Sequence, residues 1–103
     1  MRSHEDGLIE WLKKSSDNQR EYLKASIEEN SDTPDAILIA IRQIAEVRGY
    51  EVLAKEAGLS EKSLYKILSE SKDAHPRFET ISMLIHALGL RFTVEAIEKE
   101  HVG

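Results

Sequence analysis

Apolar residues recur along this chain at helical intervals, separated by short breaks rich in polar residues or glycine. Leu8, Ile9, Trp11 and Leu12 predict a short helix over roughly residues 5–14. Ser15-Ser16-Asp17 interrupts it, and Ser16 with Gln19 has the spacing of a capping box. A second helix, roughly 17–29, places Tyr22, Leu23 and Ile27 near one face, and the polar run Glu28 to Asp32 follows. Thr33-Pro34-Asp35 supplies a cap, a proline for a first turn and an acid at the positive helix end. From there Ile37, Ile41, Ile44 and Ala45 fall at i, i+4, i+7 and i+8, the stripe of a buried central helix. Leu38, Ile39, Ala40 and Val47 widen that stripe, and Gly49 ends it.

The stretch from Tyr50 to Ile67 has the spacing of a helix, a sharp turn and a second helix. Counting Tyr50 as first, Leu53 is fourth, Ala54 fifth, Gly58 ninth, Leu64 fifteenth and Ile67 eighteenth. A helix-turn-helix needs a small residue where its helices cross, a glycine at the turn and apolar residues locking the second helix down. Ala54, Gly58, Leu64 and Ile67 meet those needs, and Ser60 is a good N-cap. A polar loop from Ser69 to Pro76 follows. Phe78, Ile81, Leu84, Ile85 and Leu88 then predict a last helix that stops at Gly89. Leu90-Arg91-Phe92-Thr93-Val94 alternates apolar and polar side chains, which predicts a short strand. One strand in a helical chain has no partner, and pairing with its copy in a second subunit would supply one.

The expected architecture is all-α: a repressor-like helix-turn-helix bundle with N-terminal extension helices and a short C-terminal strand able to pair across a dimer. Residues 1–34 form the extension and residues 35–103 the helix-turn-helix domain with its dimerisation strand.

Charge complicates a DNA-binding reading. The chain has 14 basic and 19 acidic residues, for a net charge of −5. Residues 1–34 hold five basic against eight acidic side chains, and residues 50–80 five against six. A DNA-binding domain is usually basic, so either the charges are sorted to leave one face positive or non-specific DNA affinity is weak. An acidic N-terminal third also suits a basic protein partner. With no cysteine, disulfides and thiolate metal sites are excluded. No apolar run is long enough for a membrane span and the N-terminus has no secretion-signal pattern, so the cytoplasm is the expected compartment. No nucleophile elbow, phosphate loop or ligand cluster appears; His75, His86 and Glu98 with His101 lack a third metal ligand. Neither an enzyme nor a cofactor is expected.

Several fragments occur in a characteristic order: Tyr22-Leu23-Lys24-Ala25, Ala45-Glu46-Val47-Arg48-Gly49, Leu53 to Ser60, Ser63 to Ser69, Pro76-Arg77-Phe78 with Thr80, and Ala87-Leu88-Gly89-Leu90. Together, over roughly residues 8–95, they resemble the addiction-module antidote family, the HigA-like antitoxins with a Cro/repressor-type helix-turn-helix. The loop before Pro76 is longer than that family's usual turn. The resemblance implies a cytoplasmic homodimer that represses its own operon on double-stranded operator DNA. It also implies a partner, a small basic RelE/HigB-like toxin, typically a ribosome-dependent mRNA endonuclease.

On a helical projection Leu64, Ile67 and Leu68 point inward, leaving Lys62, Tyr65, Lys66 and Ser69 outward. Carried over by motif position, Ser60, Glu61, Lys62, Tyr65 and Lys66 become the base-contact candidates. Lysine can bond guanine and glutamate can accept from cytosine; Tyr65 can meet a thymine methyl or a phosphate. The plain alternative is a solvated helix face. Arg48, Lys55, Lys72 and Arg77 are phosphate candidates, each alternatively a surface charge. Leu90, Phe92 and Val94 are dimerisation candidates. Trp11, Leu12, Tyr22 and Leu23 are toxin-contact candidates, with a place in the core as their alternative. Two other functions stay open: a prophage-type repressor without a toxin, and a protein-interaction module that has lost DNA binding.

Overall fold

A stripe of four residues on one helix organises the molecule. Ala40, Ile41, Ile44 and Ala45 are buried on the helix α3, Pro34–Arg48, which packs against the helices before and after it. A computed structural model of the chain describes residues 4–30, 34–69 and 76–98; among these residues it contains six α-helices and no strand. The others are α1 (His4–Lys14), α2 (Ser16–Glu29), α4 (Tyr50–Ala57), α5 (Glu61–Ile67) and α6 (Phe78–Ala87). α1 and α2 pack on each other and on α3, while α4 packs on α3, α5 and α6. The cap expected at Thr33, together with Lys72, His75 and His101, lies outside the described residues.

The break between α1 and α2 differs from expectation by one residue. Ser15, not Ser16, is the N-cap: its backbone is extended and its Oγ accepts from Asn18 N at 3.0 Å. Gln19 is therefore released from capping and turns back onto α1. Its Nε2 donates to Leu12 O at 3.2 Å, and Asn18 Nδ2 donates to Trp11 O at 2.8 Å. Carbonyls at the end of α1 that lack partners within their own helix are thereby satisfied. Buried amides need such partners, and Gln19, only 6% exposed, has them at both ends.

The core is continuous across the 34/35 boundary drawn from the sequence. Leu23 of α2 lies in one cluster with Ile41, Ile44, Leu53, Ala54, Leu64, Leu68, Leu84, Ile85 and Leu88. A hydrogen bond from the Tyr22 hydroxyl to Gln43 Oε1 joins the same two helices. The extension helices are thus part of the body that carries α4 and α5.

Two glycines end helices by the same device. Gly58 has φ +73°; its N–H donates to Lys55 O at 3.2 Å and that of Leu59 to Ala54 O at 2.8 Å. Gly89 has φ +88°, with Gly89 N to His86 O at 2.9 Å and Leu90 N to Ile85 O at 3.0 Å. Both are Schellman turns, whose left-handed residue strains anything with a Cβ. At Gly89 a Cβ would also stand 3.3 Å from Arg20 Cδ, so α2 closes over this turn.

After α6 the expected strand is not formed in the single chain. Leu90 and Phe92 instead turn onto the core, and the Phe92 ring stacks on Phe78 with centroids 5.1 Å apart. Val94 is 95% exposed. A strand exists only through ladder bonds to a neighbour, and one protomer supplies no neighbour here.

Candidate functional site

α5 is built to be held from behind and open in front. Ser60, extended, caps it by accepting from Ser63 N at 3.0 Å. Leu64 and Leu68 are buried and Ile67 is half-buried. The opposite face presents Glu61, Lys62, Tyr65 and Lys66, all exposed. Five of the sequence candidates, Ser60, Glu61, Lys62, Tyr65 and Lys66, therefore stand on one short helix and its cap. Ser69 sits just beyond its end, half-buried, with its carbonyl accepting from Arg42 Nη2 at 3.4 Å. Lys55 is exposed on α4. Arg77 is the N-cap residue of α6 and stands 3.7 Å from Glu79, both almost fully in solvent, an arrangement worth little energetically.

Arg48 is engaged within the fold. Its Nε and Nη2 each reach a Glu56 carboxylate oxygen at 2.6 Å, and its Nη1 donates to Ser16 Oγ at 3.1 Å and Gln19 Oε1 at 2.9 Å. The guanidinium fork bonds α2 and α4, so Arg48 clamps these helices together. Bonding to Arg48 holds the Glu56 carboxyl below its ordinary pKa against a smaller opposing effect of burial, and the same bond raises the Arg48 pKa.

Two residues absent from the sequence candidates support α5. Arg42 Nε donates to Leu68 O at 2.7 Å, at the open end of the helix. The Tyr50 ring lies parallel to that of Tyr65, centroids 4.0 Å apart and planes within 2°. Burial raises the Tyr50 hydroxyl pKa and the Glu46 carboxylate adds to this, while Arg42 opposes it. The ring is thus neutral at ordinary pH. Nothing in a linear pattern pairs residues 42 and 68, or 50 and 65. Two aromatics in otherwise polar positions are the faint signal for the second pair.

A family model described as "Probable addiction module antidote protein" matches residues 7–96. Over 74 residues the chain is 36% identical to an uncharacterized protein of Haemophilus influenzae (strain ATCC 51907 / DSM 11121 / KW20 / Rd), a stretch covering 72% of each chain. No solved structure matches. The chain belongs to the probable addiction module antidote family. An antidote implies a toxin of some kind, so surfaces that could receive a protein matter as much as α5.

In this antidote the toxin-contact candidates divide into two kinds. Leu12 and Leu23 have no exposed surface and hold helices together. Both point inward at helical spacing. Trp11 and Tyr22 are half-buried and keep part of their rings at the surface. Of the dimerisation candidates, Leu90 and Phe92 are half-buried against their own core while Val94 stands in solvent. A shallow depression of about 360 Å³ lies between α4 and α6, lined by Glu56, Ala57, Glu79, Ser82, Met83, His86 and Ala87. Among the described residues no helix is long and apolar enough to cross a membrane.

Proposed function

We propose that this antidote is a HigA-like, sequence-specific DNA-binding protein that represses its own operon in the cytoplasm and neutralises a small basic RelE/HigB-like toxin. The supporting observation is the outward face of α5. Lys62, Tyr65 and Lys66 project from a helix whose other side is locked by Leu64 and Leu68 and which is entered through the Gly58 turn. In a helix-turn-helix, that helix lies in the major groove and its first turns meet base edges. Ser60, Glu61, Lys62, Tyr65, Lys66 and Ser69 are the reading residues, and Lys55 and Arg77 add attraction for phosphate.

A twofold dimer would set two copies of α5 about 34 Å apart on a palindromic operator. Antiparallel pairing of residues 90–94 would supply the missing strand partner, through Leu90, Phe92 and Val94. Trp11 and Tyr22, on the acidic extension, are the toxin-facing residues. The net charge of −5 favours a second reading, a protein-interaction module without DNA affinity. A mobility-shift assay on the protein's own promoter, at low and moderate salt, separates the two. A specific shift supports the repressor, and none supports the interaction module. Co-purification with the neighbouring gene product tests the toxin.

A further inference from the structure

We propose that Arg42 and Tyr50 are positioning residues that set the sequence selectivity of α5 from places on α3 and α4. The inference rests on the DNA-binding reading above and names two side chains outside the reading face. α5 has seven residues, two turns, and an isolated helix of that length does not hold its shape in water. Its only fully buried side chain is Leu64, with Leu68 following at its C-cap. Leu64, Leu68 and the half-buried Ile67 fix the depth and general orientation of α5 on the core, and the finer aim of the exposed side chains depends on other contacts as well.

Arg42 supplies one. Its Nε bonds Leu68 O at 2.7 Å and its Nη2 reaches Ser69 O at 3.4 Å. A cation on carbonyls at the C-terminal end of α5 also suits the negative pole of the helix. Two bonds from one planar fork resist turning in a way a single bond does not. Tyr50 supplies the other. Tyr65 is 53% exposed and would otherwise choose freely among rotamers, but the parallel ring 4.0 Å away covers one of its faces. Stacking holds the Tyr65 ring in place on the outward surface, between Lys62 and Lys66 in sequence.

Base recognition requires donors and acceptors held within about 0.5 Å of their productive positions, whereas attraction to phosphate tolerates movement. A loosened α5 would therefore lose selectivity before it lost general affinity for DNA.

The test measures the affinity of the full-length chain for its promoter duplex and for a scrambled duplex of equal length, over a series of salt concentrations. Arg42→Met and Tyr50→Ala are expected to lower the promoter-to-scrambled ratio about tenfold, the scale of a single mismatched base pair. The salt slope and the scrambled affinity should stay those of the parent. Tyr50→Phe, which keeps the ring, should keep the ratio. A slope smaller by about one would make Arg42 a phosphate ligand and overturn the proposal. So would an unchanged ratio, or equal losses on both duplexes. If Arg42→Met does not fold, the two Tyr50 variants decide. A parent chain that shows no promoter preference fails the DNA-binding reading first, before any variant is compared.

Discussion

Arg48 grips Glu56 with two bonds of 2.6 Å, from Nε to Oε1 and from Nη2 to Oε2, while its remaining arm reaches Ser16 and Gln19. One side chain at the end of α3 thus joins α2 to α4. Solvent still reaches 34% of the Glu56 side chain, so screening keeps the pair close to a surface ion pair in value. Arg48→Met should cost about 1 kcal/mol at neutral pH, read from urea unfolding. The folded pKa of Glu56 lies below its ordinary value. The increment is therefore fully present above the unfolded glutamate pKa of about 4.3 and fades as pH falls through the folded value. Near pH 3 the parent and Arg48→Met should differ less than near pH 7. A difference that grew in acid would contradict the assignment.

Gly58 separates conformational strain from crowding. Its φ is +73°, yet no atom outside its neighbours lies within 4 Å of a built Cβ. Gly58→Ala should therefore cost about 1–2 kcal/mol by backbone strain alone. Gly58→Asn should cost less, because asparagine visits the left-handed region more readily. Thermal unfolding of both variants checks the order, and equal costs would point to something other than φ.

Leu12 and Leu23 should behave as core residues. Each is fully buried, so Leu12→Ala and Leu23→Ala should each destabilise by about 2–5 kcal/mol. Trp11 and Tyr22 keep exposed surface, and their substitution should weaken toxin co-purification by more than it lowers the melting temperature. An unchanged melting temperature in Leu23→Ala would show that the extension folds separately from the rest.

These outcomes bear on what a linear pattern can carry. The α3 stripe is legible because Ile41, Ile44 and Ala45 sit at helical spacing and burial enforces that spacing. Gly58 and Ser60 are legible because a left-handed turn and a cap each demand particular residue types. The capping serine is ambiguous in sequence because Ser15 and Ser16 are chemically alike; in the fold Ser15 caps while Gln19 bonds Leu12 O. The intramolecular roles of Arg42 and Arg48 are hidden for a different reason. A linear pattern does not show which distant group a guanidinium will meet, and the fold brings Glu56 to Arg48 and Leu68 O to Arg42 from 8 and 26 residues away. Leu12 and Leu23 resemble partner contacts in sequence because a short amphipathic helix looks alike whether its stripe meets a toxin or its own α3.

Lys62 and Lys66 should separate recognition from stability. Both are exposed, so Lys62→Ala and Lys66→Ala should leave unfolding within about 0.5 kcal/mol of the parent. If Lys62 bonds a base edge, Lys62→Ala should weaken promoter binding by about 1–3 kcal/mol and relax preference at one base pair. Lys55→Ala should instead weaken binding to every duplex and flatten its salt dependence. A uniform loss for all three would make α5 a phosphate-binding face without readout.

Val94 offers the cleanest test of self-association. At 95% exposure it contributes almost nothing to the single protomer, so Val94→Asp should leave the monomer fold and its α-helical circular dichroism intact. In an antiparallel pair about a twofold axis, residues 90–94 of one copy face the same residues of the other. Each added carboxylate would lie opposite Leu90 of the other copy, where desolvating it is costly. Sedimentation velocity should then show the parent as a dimer and Val94→Asp as a monomer at the same concentration. Phe92→Ala should differ from both, because Phe92 also stacks on Phe78 within its own chain. That variant should lose protomer stability as well as dimer. A Val94→Asp protein that still sediments as a dimer would move the interface away from the C-terminal segment.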